Sequence, residues 1–386
     1  MSVTTPKGFR AAGVTAGLKT SGKPDLALVV NDGPLRNAAA VFTSNRVAAA
    51  PVQWSRQVVG DGRVDAVVLN SGGANACTGP QGFQNTHATA EKVAGLLGLS
   101  AADVVVCSTG LIGEQLAMNK LIPGVEAAAA ALNDDGGAAA AAAIMTTDTV
   151  AKQVLWVSAG EAGYAIGGMA KGAGMLAPGL ATMLVVLTTD AVVGADGLDA
   201  ALRDAARVSF NRADSDGCMS TNDTVVLLAS GASESYPDMA EFTAGLTSVC
   251  TSLARQLIGD AEGASHDIAI TTVNAATEQD AELVGRAVAR SNLFKTAIFG
   301  KDPNWGRVLS AVGTTDAVFE PDQLNVSING VQICRNGGIG DSRDLVDLEP
   351  REVSVEIDLN AGSAIATIWT NDLTHAYVEE NSAYSS

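Results

Sequence analysis

The sequence predicts a layered α/β or α+β fold in which sheets and helices pack as a sandwich. Runs rich in Val, Ile and Thr recur along the chain and are bounded by Gly, Asn, Asp or Pro, as β-strands commonly are. Between them lie segments that have helical apolar spacing or many alanines. Because the two kinds of segment mix without a strict βαβ rhythm, the pattern is typical of a layered sandwich.

The strands are predicted from their composition and their boundaries. An alternating strand, DLALVV, follows directly after residues 17–23, which we interpret as a hairpin turn. Ten further strands are predicted at residues 65–70, 103–108, 153–158, 182–189, 223–230, 267–273, 294–300, 324–330, 353–359 and 364–370.

The helices are predicted from apolar spacing and from propensity. In LDAALRDAARVSF, residues 198–210, four apolar side chains fall on one helical face. Two more helices are predicted at about 238–258 and 278–291. The alanine-rich stretch 126–143 is helical by propensity and is interrupted by NDDGG.

A change in composition near ASESYPDMAE, residues 232–240, predicts the domain boundary. We expect a larger N-terminal α/β unit over residues 1–239. A smaller C-terminal α/β unit is expected over residues 240–386, with a tail after its last strand.

The composition fits a globular protein with a large core. Of 386 residues, 47% are hydrophobic and 17% are charged. The net charge of −18 makes a surface that repels nucleic acid and anionic membranes, so we expect neither as a partner. The N-terminal MSVTTPKGFRAAG has no apolar core of a signal peptide, and no apolar run is long enough to span a bilayer.

Cysteine and histidine usage bounds the chemistry. Five cysteines without CxxC spacing favour reduced thiols and a cytoplasmic protein over a disulfide framework. The three histidines form no HExxH or HxH pattern, so we expect no metal site. If the protein transfers protons, its base need not be histidine.

Three other patterns are interpreted as ordinary structure. GLKTSGK at 17–23 has the spacing of a P-loop, but Pro24 stands where the magnesium-binding hydroxyl is needed. NGGIGD at 336–341 is followed by no helix and predicts a turn. Glu262 and His266 are four residues apart without a helical pattern, so they do not form a metal pair.

The segment KGAGMLAPGLATML, residues 171–184, has an unusual combination of residues. Two glycines permit positive φ and close backbone approach, and Pro178-Gly179 predicts a tight turn. Lys171 adds a positive charge, and a hydroxyl at Thr182 begins an apolar run. Because threonine favours strands, a structural role remains the alternative for this segment taken by itself.

The same residues suit self-cleavage. If Thr182 Oγ attacks the carbonyl carbon of Ala181, the amide becomes an ester, and its hydrolysis leaves a new N-terminal threonine. The α-amine of a chain terminus has a pKa of about 7.7–8.0, which suits a base near neutral pH. An N-terminal threonine that is activated by its own amine needs no histidine.

This segment resembles the self-cleavage and nucleophile motif of the ornithine acetyltransferase (glutamate N-acetyltransferase) family. The resemblance covers essentially the whole chain, because further blocks match in family order. They are GFRAAGV (8–14), VFTSNRVAAAPV (41–52), NSGGANACTG (70–79), CSTGLIGE (107–114), IMTTDT (144–149), FNRADSDGCMSTNDT (210–224), LFKTAIFGKDPNWGRV (293–308) and the terminal HAYVEENSAYSS.

The resemblance implies an αββα-type sandwich of the self-processing ornithine acetyltransferase/DmpA-like kind. It implies Thr182 as the nucleophile of both self-cleavage and acetyl transfer, and Ala181-Thr182 as the scissile bond. Thr109 and Gly110 would form the oxyanion hole. The processed chains would be residues 1–181 and 182–386.

The resemblance also implies a set of substrate-binding residues besides Thr182. Thr146 and Lys171 would line the pocket, and Glu262 would contact the substrate's ammonium or assist proton movement. Asn381 and Ser386, in the tail, would hold the amino-acid end of the substrate.

The activity that the resemblance implies is transfer of acetyl from N2-acetylornithine to glutamate in arginine biosynthesis, through an acetyl-threonine intermediate. Two chains of each kind would assemble as a heterotetramer, without a prosthetic group. Some members of the family also accept acetyl-CoA as the donor. Two alternatives remain at this point: a self-processed N-terminal-threonine amidase or aminopeptidase, and a ligand-binding or structural protein that is not cleaved.

Overall fold

The computed structural model describes residues 2–159, 163–176 and 183–383. Its residues group into two compact units. The first comprises Met1–Ala173, Gly179–Asn211 and Met219–Leu257, and the second comprises Gly174–Pro178, Arg212–Cys218 and Ile258–Ser386. The division expected at 239/240 on composition stays a prediction.

Nine strands and six helices of the described residues belong chiefly to the first unit. The strands are β1 (Phe9–Val14), β2 (Leu26–Asn31), β3 (Asn37–Phe42), β4 (Ala66–Asn70), β5 (Val104–Ser108), β6 (Lys152–Val157), β7 (Ala165–Lys171), β8 (Leu184–Thr189) and β9 (Thr224–Ala229). The helices are α1 (Ala50–Val58), α2 (Gly79–Leu97), α3 (Met118–Ala130), α4 (Gly137–Ala143), α5 (Ala195–Arg207) and α6 (Met239–Gly259).

The second unit contains the remaining described elements. Its strands are β10 (Asp267–Ala275), β11 (Asn325–Ile328), β12 (Val331–Arg335), β13 (Gly338–Ile339), β14 (Glu352–Asp358) and β15 (Ala364–Asn371). Its helices are α7 (Glu278–Ala289), α8 (Asn292–Phe299), α9 (Trp305–Val312) and α10 (His375–Ala383).

Two sheets of the first unit pack face to face. One has the order β1-β2-β4-β5 and the other the order β3-β9-β8-β7-β6. Apolar side chains of both sheets, among them Val29 and Val105 of one and Val186 and Leu228 of the other, share one buried cluster. Such interdigitation of two inner faces is the core of a sandwich.

Helices cover both outer faces of this sandwich. On the four-stranded sheet, Val68 and Val106 pack in a buried cluster with Val93 of α2 and Val125 of α3. On the five-stranded sheet, Gly245 of α6 approaches the ring of Trp156 in β6. The order helix, sheet, sheet, helix confirms the predicted αββα sandwich.

Strand register in the five-stranded sheet brings three strand ends together. Lys171, the last residue of β7, pairs with Leu184, the first residue of β8. Leu184 in turn pairs with Thr224, the first residue of β9. The residues that flank these positions in sequence, Met183 and Asp223, therefore meet at one edge of the sandwich.

The second unit is built on a six-stranded sheet with the order β13-β12-β11-β14-β10-β15. β10 pairs in parallel with β14 and antiparallel with β15. Helices α7, α8 and α9 bury Val284, Phe294 and Val308 against this sheet.

One predicted strand, at residues 294–300, is wrong: residues 294–299 belong to helix α8, and Gly300 follows its end. Ser291 caps this helix by accepting a hydrogen bond from the Phe294 N–H at 3.3 Å. The buried Phe294, Ala297 and Ile298 are spaced i, i+3 and i+4, which is one face of a helix. The β-branched residues of this run favoured the strand prediction, although its apolar residues have helical spacing.

Other expectations agree more closely. The alanine-rich stretch forms the end of α3 and all of α4, separated at the predicted break. The turn at 17–23 joins β1 to the antiparallel β2. Within the described ranges, no helix is long and apolar enough to cross a membrane.

Candidate active site

Lys171 lies at the end of β7 with only 2% of its surface exposed. Its charge lies beside Asp148, whose Oδ1 accepts hydrogen bonds from the Gly172 N–H at 2.7 Å and from Lys152 Nζ at 2.6 Å. Burial by itself raises the pKa of the Asp148 carboxyl, but the charges of Lys171 and Lys152 outweigh it and lower that pKa to about 2. A buried carboxylate therefore stabilises two buried ammonium groups.

Thr109 follows β5 and presents its hydroxyl to this lysine. Lys171 Nζ donates to Thr109 Oγ1 at 3.4 Å, and Thr109 is itself 4% exposed. The Thr109 N–H donates to Asn70 O at 2.9 Å, which continues the pairing of β4 with β5. The backbone of Thr109 is thus fixed, while its hydroxyl faces a cation.

Gly110 has a backbone that other residues cannot easily adopt. Its φ is +131°, and a Cβ there would lie 2.6 Å from the Gly73 nitrogen. None of the residues that the structure describes accepts a hydrogen bond from the Gly110 N–H. An open backbone N–H next to an oriented hydroxyl is the donor pair that an oxyanion hole needs.

Asp223 binds the backbone of Met183, the first described residue after the predicted nucleophile Thr182. The Met183 N–H donates to Asp223 Oδ1 at 3.0 Å, and Asp223 is fully buried. Its Oδ2 has no hydrogen-bond partner among the described residues. Burial raises the pKa of this carboxyl well above its usual value, which favours its neutral form.

Thr146 belongs to the same cluster. Its N–H donates to Asp148 Oδ2 at 2.9 Å, and its hydroxyl lies 3.5 Å from the same oxygen. The first unit therefore brings together Thr109, Gly110, Thr146 and Lys171. Ala181, Thr182 and Ser386 lie outside the described residues, so their predicted roles stay predictions.

Glu262 lies in the second unit, in the turn after α6. A Cβ on Gly174, which belongs to the same unit, would lie 2.6 Å from Glu262 Oε2, so the backbone at Gly174 passes close to this carboxylate. Glu262 lines a cavity of about 160 Å³ with Asp216, Lys295 and Tyr377. Burial and the charges of Asp216 and Glu262, among others, raise the pKa of the Tyr377 hydroxyl to about 12.

Asn381 is not brought into this cavity. It lies in α10, is exposed, and its Nδ2 donates to Tyr377 O at 3.0 Å within the helix. The helix itself was not predicted, because the tail lacks an apolar face. The residue of α10 that lines the cavity is Tyr377, one turn earlier.

The described residues contain no group of three His, Cys, Asp or Glu side chains that could hold a metal ion. His266 uses both ring nitrogens within the second unit. Its Nδ1 lies 2.8 Å from Asp372 Oδ2, and its Nε2 lies 3.1 Å from Leu348 O. Glu262 is not among these partners.

Comparison with known proteins identifies the family. The profile of the ArgJ family matches residues 10–386. The chain belongs to the ArgJ family. It is 66% identical to the arginine biosynthesis bifunctional protein ArgJ of Streptomyces coelicolor over the full length of both chains. It is 54% identical to ArgJ of Mycobacterium tuberculosis, covering all of this chain and 96% of that one.

Two solved structures match part of the chain. ArgJ from Bacillus halodurans is 34% identical with a TM-score of 0.50, and the match covers 52% of this chain and 98% of that chain. Ornithine acetyltransferase from M. tuberculosis, complexed with ornithine, is 55% identical with a TM-score of 0.45, covering 47% and 96%. This ArgJ chain is an enzyme, an acetyltransferase of arginine biosynthesis.

Two residues of this ArgJ site were not singled out from the sequence. Asp148 lies in the quoted block IMTTDT, and Asp223 lies in FNRADSDGCMSTNDT. A buried lysine requires a compensating carboxylate, and that requirement was the available signal for Asp148. For Asp223 the only signal was its position directly before an apolar strand.

Proposed function

We propose that this ArgJ protein cleaves itself before Thr182 and then transfers acetyl from N2-acetylornithine to glutamate. The observation that carries the proposal is the placement of Lys171, Thr109 and Gly110 around one point at the edge of the sandwich. Met183, the neighbour of Thr182 in sequence, is anchored at the same edge by Asp223. We infer that the Thr182 hydroxyl, the Lys171 cation and an oxyanion hole at Thr109 and Gly110 act together at this edge.

Cleavage starts when Thr182 Oγ attacks the Ala181 carbonyl carbon. The hydroxyl proton moves to the departing amide nitrogen, so the peptide becomes an ester and a free amine. Water then hydrolyses the ester and leaves residues 1–181 and 182–386. Of the 386 residues, 205 fall in the second fragment, or about 53%. The match with the solved B. halodurans chain covers 98% of that chain but only 52% of this one, and this share supports such a division.

Acetyl transfer follows in two half-reactions. The Thr182 amine takes the hydroxyl proton while Oγ attacks the acetyl carbonyl of N2-acetylornithine, and ornithine leaves with that proton. The glutamate amine then attacks the acetyl ester and releases N-acetylglutamate and the free hydroxyl. Thr109 and the Gly110 N–H stabilise the oxyanion in each step. One nucleophile serving both substrates predicts ping-pong kinetics.

The electrostatics of the first unit support this assignment. Lys171 lies beside Asp148, whose pKa its charge helps to lower, and a nearby positive charge disfavours protonation of an amine. The Thr182 amine is therefore held in the neutral form that acts as a base. Thr146, Glu262, Asn381 and Ser386 complete the proposed substrate site together with Lys171 and Thr182.

Several finer points belong to the same proposal. Two chains of each fragment assemble as a heterotetramer, and no prosthetic group takes part. Acetyl-CoA is a second possible donor, and its use is tested by replacing N2-acetylornithine with it. The five cysteines are free thiols, which supports a cytoplasmic setting.

The decisive experiment is intact mass and N-terminal sequencing of the purified protein, followed by the transfer assay. We expect two fragments, with threonine at the start of the second, and N-acetylglutamate as the product. T182A should run as one uncut band and be inactive. A T182A protein that still splits at 181/182, or still transfers acetyl, would contradict the mechanism. Free acetate instead of N-acetylglutamate would favour the alternative, a self-processed amidase or aminopeptidase.

A further inference from the structure

The cavity of the second unit has walls of both charges. It measures about 160 Å³, and its charged lining residues are Asp216, Glu262, Arg290, Lys295 and Asp372. That volume admits the charged end of an amino acid.

Lys295 is buried without a counter-charge in contact. It is 6% exposed, and its Nζ donates to Ser215 O and, at 3.3 Å, to Thr370 Oγ1. No carboxylate oxygen of a described residue lies within 4.0 Å of this Nζ. An ammonium has three N–H donors, so one donor remains for a ligand.

The carboxylates near Lys295 are bound to other groups. Asp372 Oδ1 accepts from the backbone N–H groups of Ser265 and His266, both at 2.9 Å. Asp372 Oδ2 lies 2.8 Å from His266 Nδ1. Asp214 Oδ2 accepts from Arg290 Nε at 2.7 Å. Asp216 also faces Lys295 and accepts from the Cys218 N–H at 3.0 Å, but it makes no hydrogen bond with the ammonium, so the third N–H of Lys295 is left for a ligand in the cavity.

Retaining a buried lysine for packing alone is unfavourable. An unpaired charge in a protein interior costs free energy that an apolar side chain of the same length does not. A residue held at that cost in the wall of a cavity is a candidate functional residue.

We propose that Lys295 binds the side-chain carboxylate of the acceptor glutamate, while Asp216 and Glu262 bind the side-chain ammonium of the donor. This inference rests on the proposed function, in which one nucleophile reacts with two substrates. The side chain of the donor ends in a positive charge, and that of the acceptor ends in a negative charge. A single cavity then serves both half-reactions, because its lining carries groups of both charges. Lys295 is thus a specificity-determining residue for the acceptor.

The test compares K295M with the wild type and with K301M. Methionine keeps the length and removes the charge. Lys301, an exposed lysine of the same unit that pairs with Glu349, provides the control. A hydrogen bond to a charged group contributes about 1.5–3 kcal/mol, so we expect the KM for glutamate to rise about 10- to 100-fold in K295M. The KM for N2-acetylornithine should change far less, and K301M should match the wild type.

A second readout uses glutamine, the neutral isostere of glutamate. The wild type should prefer glutamate as the acceptor, K295M should lose that preference, and K295R should keep most of it. Equal increases in both KM values, or an unchanged glutamate-to-glutamine ratio in K295M, would overturn the assignment. If K295M does not fold, the ratio in K295R and K295Q decides.

The failure of the proposed function has a different signature. With N2-acetylornithine alone, the wild type should release ornithine as Thr182 becomes acetylated. If no ornithine is released, the proposed function is wrong and the assignment of Lys295 falls with it. If ornithine is released but K295M and wild type treat glutamate alike, only the assignment of Lys295 is wrong.

Discussion

Lys171 Nζ and Thr109 Oγ1 lie 3.4 Å apart, although 62 residues separate them in the chain. One comes from the end of β7 and the other from the residue after β5, which belong to different sheets of the sandwich. The contact places a fixed positive charge against one of the two proposed oxyanion donors. Several measurable consequences follow from this arrangement and from the buried acids around it.

Replacing Lys171 tests the role of that charge. We expect K171M to lower kcat for ornithine release by at least about 100-fold. The variant loses the proposed contact with the substrate and the positive charge that favours the neutral form of the Thr182 amine. The exposed Lys23 gives the control, K23M, which should match the wild type. Steady-state assays on both variants, with cleavage followed on a denaturing gel, provide the measurement. Wild-type kcat in K171M would contradict the proposed site.

Replacing Gly110 tests the oxyanion hole. A Cβ at φ +131° and 2.6 Å from the Gly73 nitrogen must displace the loop, so G110A should misplace its N–H donor. Loss of one such donor costs about 10²–10³ in kcat. G95A is the matched control, because a Cβ at Gly95 in α2 meets open space. G95A should keep full activity and gain about 0.5–1 kcal/mol of stability, measured by urea unfolding.

Asp148 should make the first unit sensitive to acid. Its pKa is about 2 in the folded protein against 3.8 for the free group, so the folded state favours the charged form. The stabilisation is complete above pH 4 and is lost as pH falls through about 2, and it amounts to about 2 kcal/mol. In D148N, Lys152 and Lys171 lose their carboxylate, and we expect a loss of about 3 kcal/mol at pH 7.

Urea midpoints at pH 3, 5 and 7 check this prediction. The difference between wild type and D148N should be nearly constant from pH 5 to pH 7 and should shrink at pH 3. A difference that does not depend on pH would show that Asp148 contributes packing and not charge.

Asp223 should have the opposite pH dependence. Its pKa is raised in the folded state, so above pH 4 the folded protein holds a proton that the unfolded chain releases. Stability contributed by this group therefore falls as pH rises. D223N keeps an oxygen for the Met183 N–H and carries no titrating proton, so its stability relative to wild type should improve as the pH rises above about 4. Parallel urea midpoints of the two proteins across that range would contradict the expectation.

Lys295 gives a pH dependence in binding. Its Nζ is faced by Asp214, Asp216 and Asp372, and the same cavity is lined by Glu262, Arg290 and Tyr377. Burial lowers the pKa of the Lys295 ammonium to about 8, since these acids only partly offset it. The charged form is lost above that value, so the wild-type KM for glutamate should rise between pH 7 and 9.5. In K295R the rise should be absent, because arginine stays charged.

The sequence predicts the sandwich better than it predicts the individual buried acids. Thr109 and Gly110 directly follow strand β5, and the composition of the sequence predicts where that strand ends. Asp148 and Asp223 are buried because of residues far away in the chain, and no local pattern records that. Strand β7, AIGGMAK, was missed because glycine and alanine hide a strand whose pairing is set by its neighbours.

The same reason explains the error at 294–300. FKTAIF has β-branched residues, yet Ser291 caps a helix there and the apolar side chains need a helical face to pack against the sheet. The wrong strand prediction also gave no reason to single out Lys295. On helix α8 this lysine lines the cavity of the second unit.

The order of strands in the five-stranded sheet has a consequence for how the protein unfolds and refolds. A cut before Thr182 would leave β3, β6 and β7 on one fragment and β8 and β9 on the other, with β8 and β9 paired between β3 and β7. Two six-residue ladders would then join separate polypeptides. Such a protein folds as one chain but must refold as two, so its melting temperature becomes dependent on concentration and its loss of structure hard to reverse.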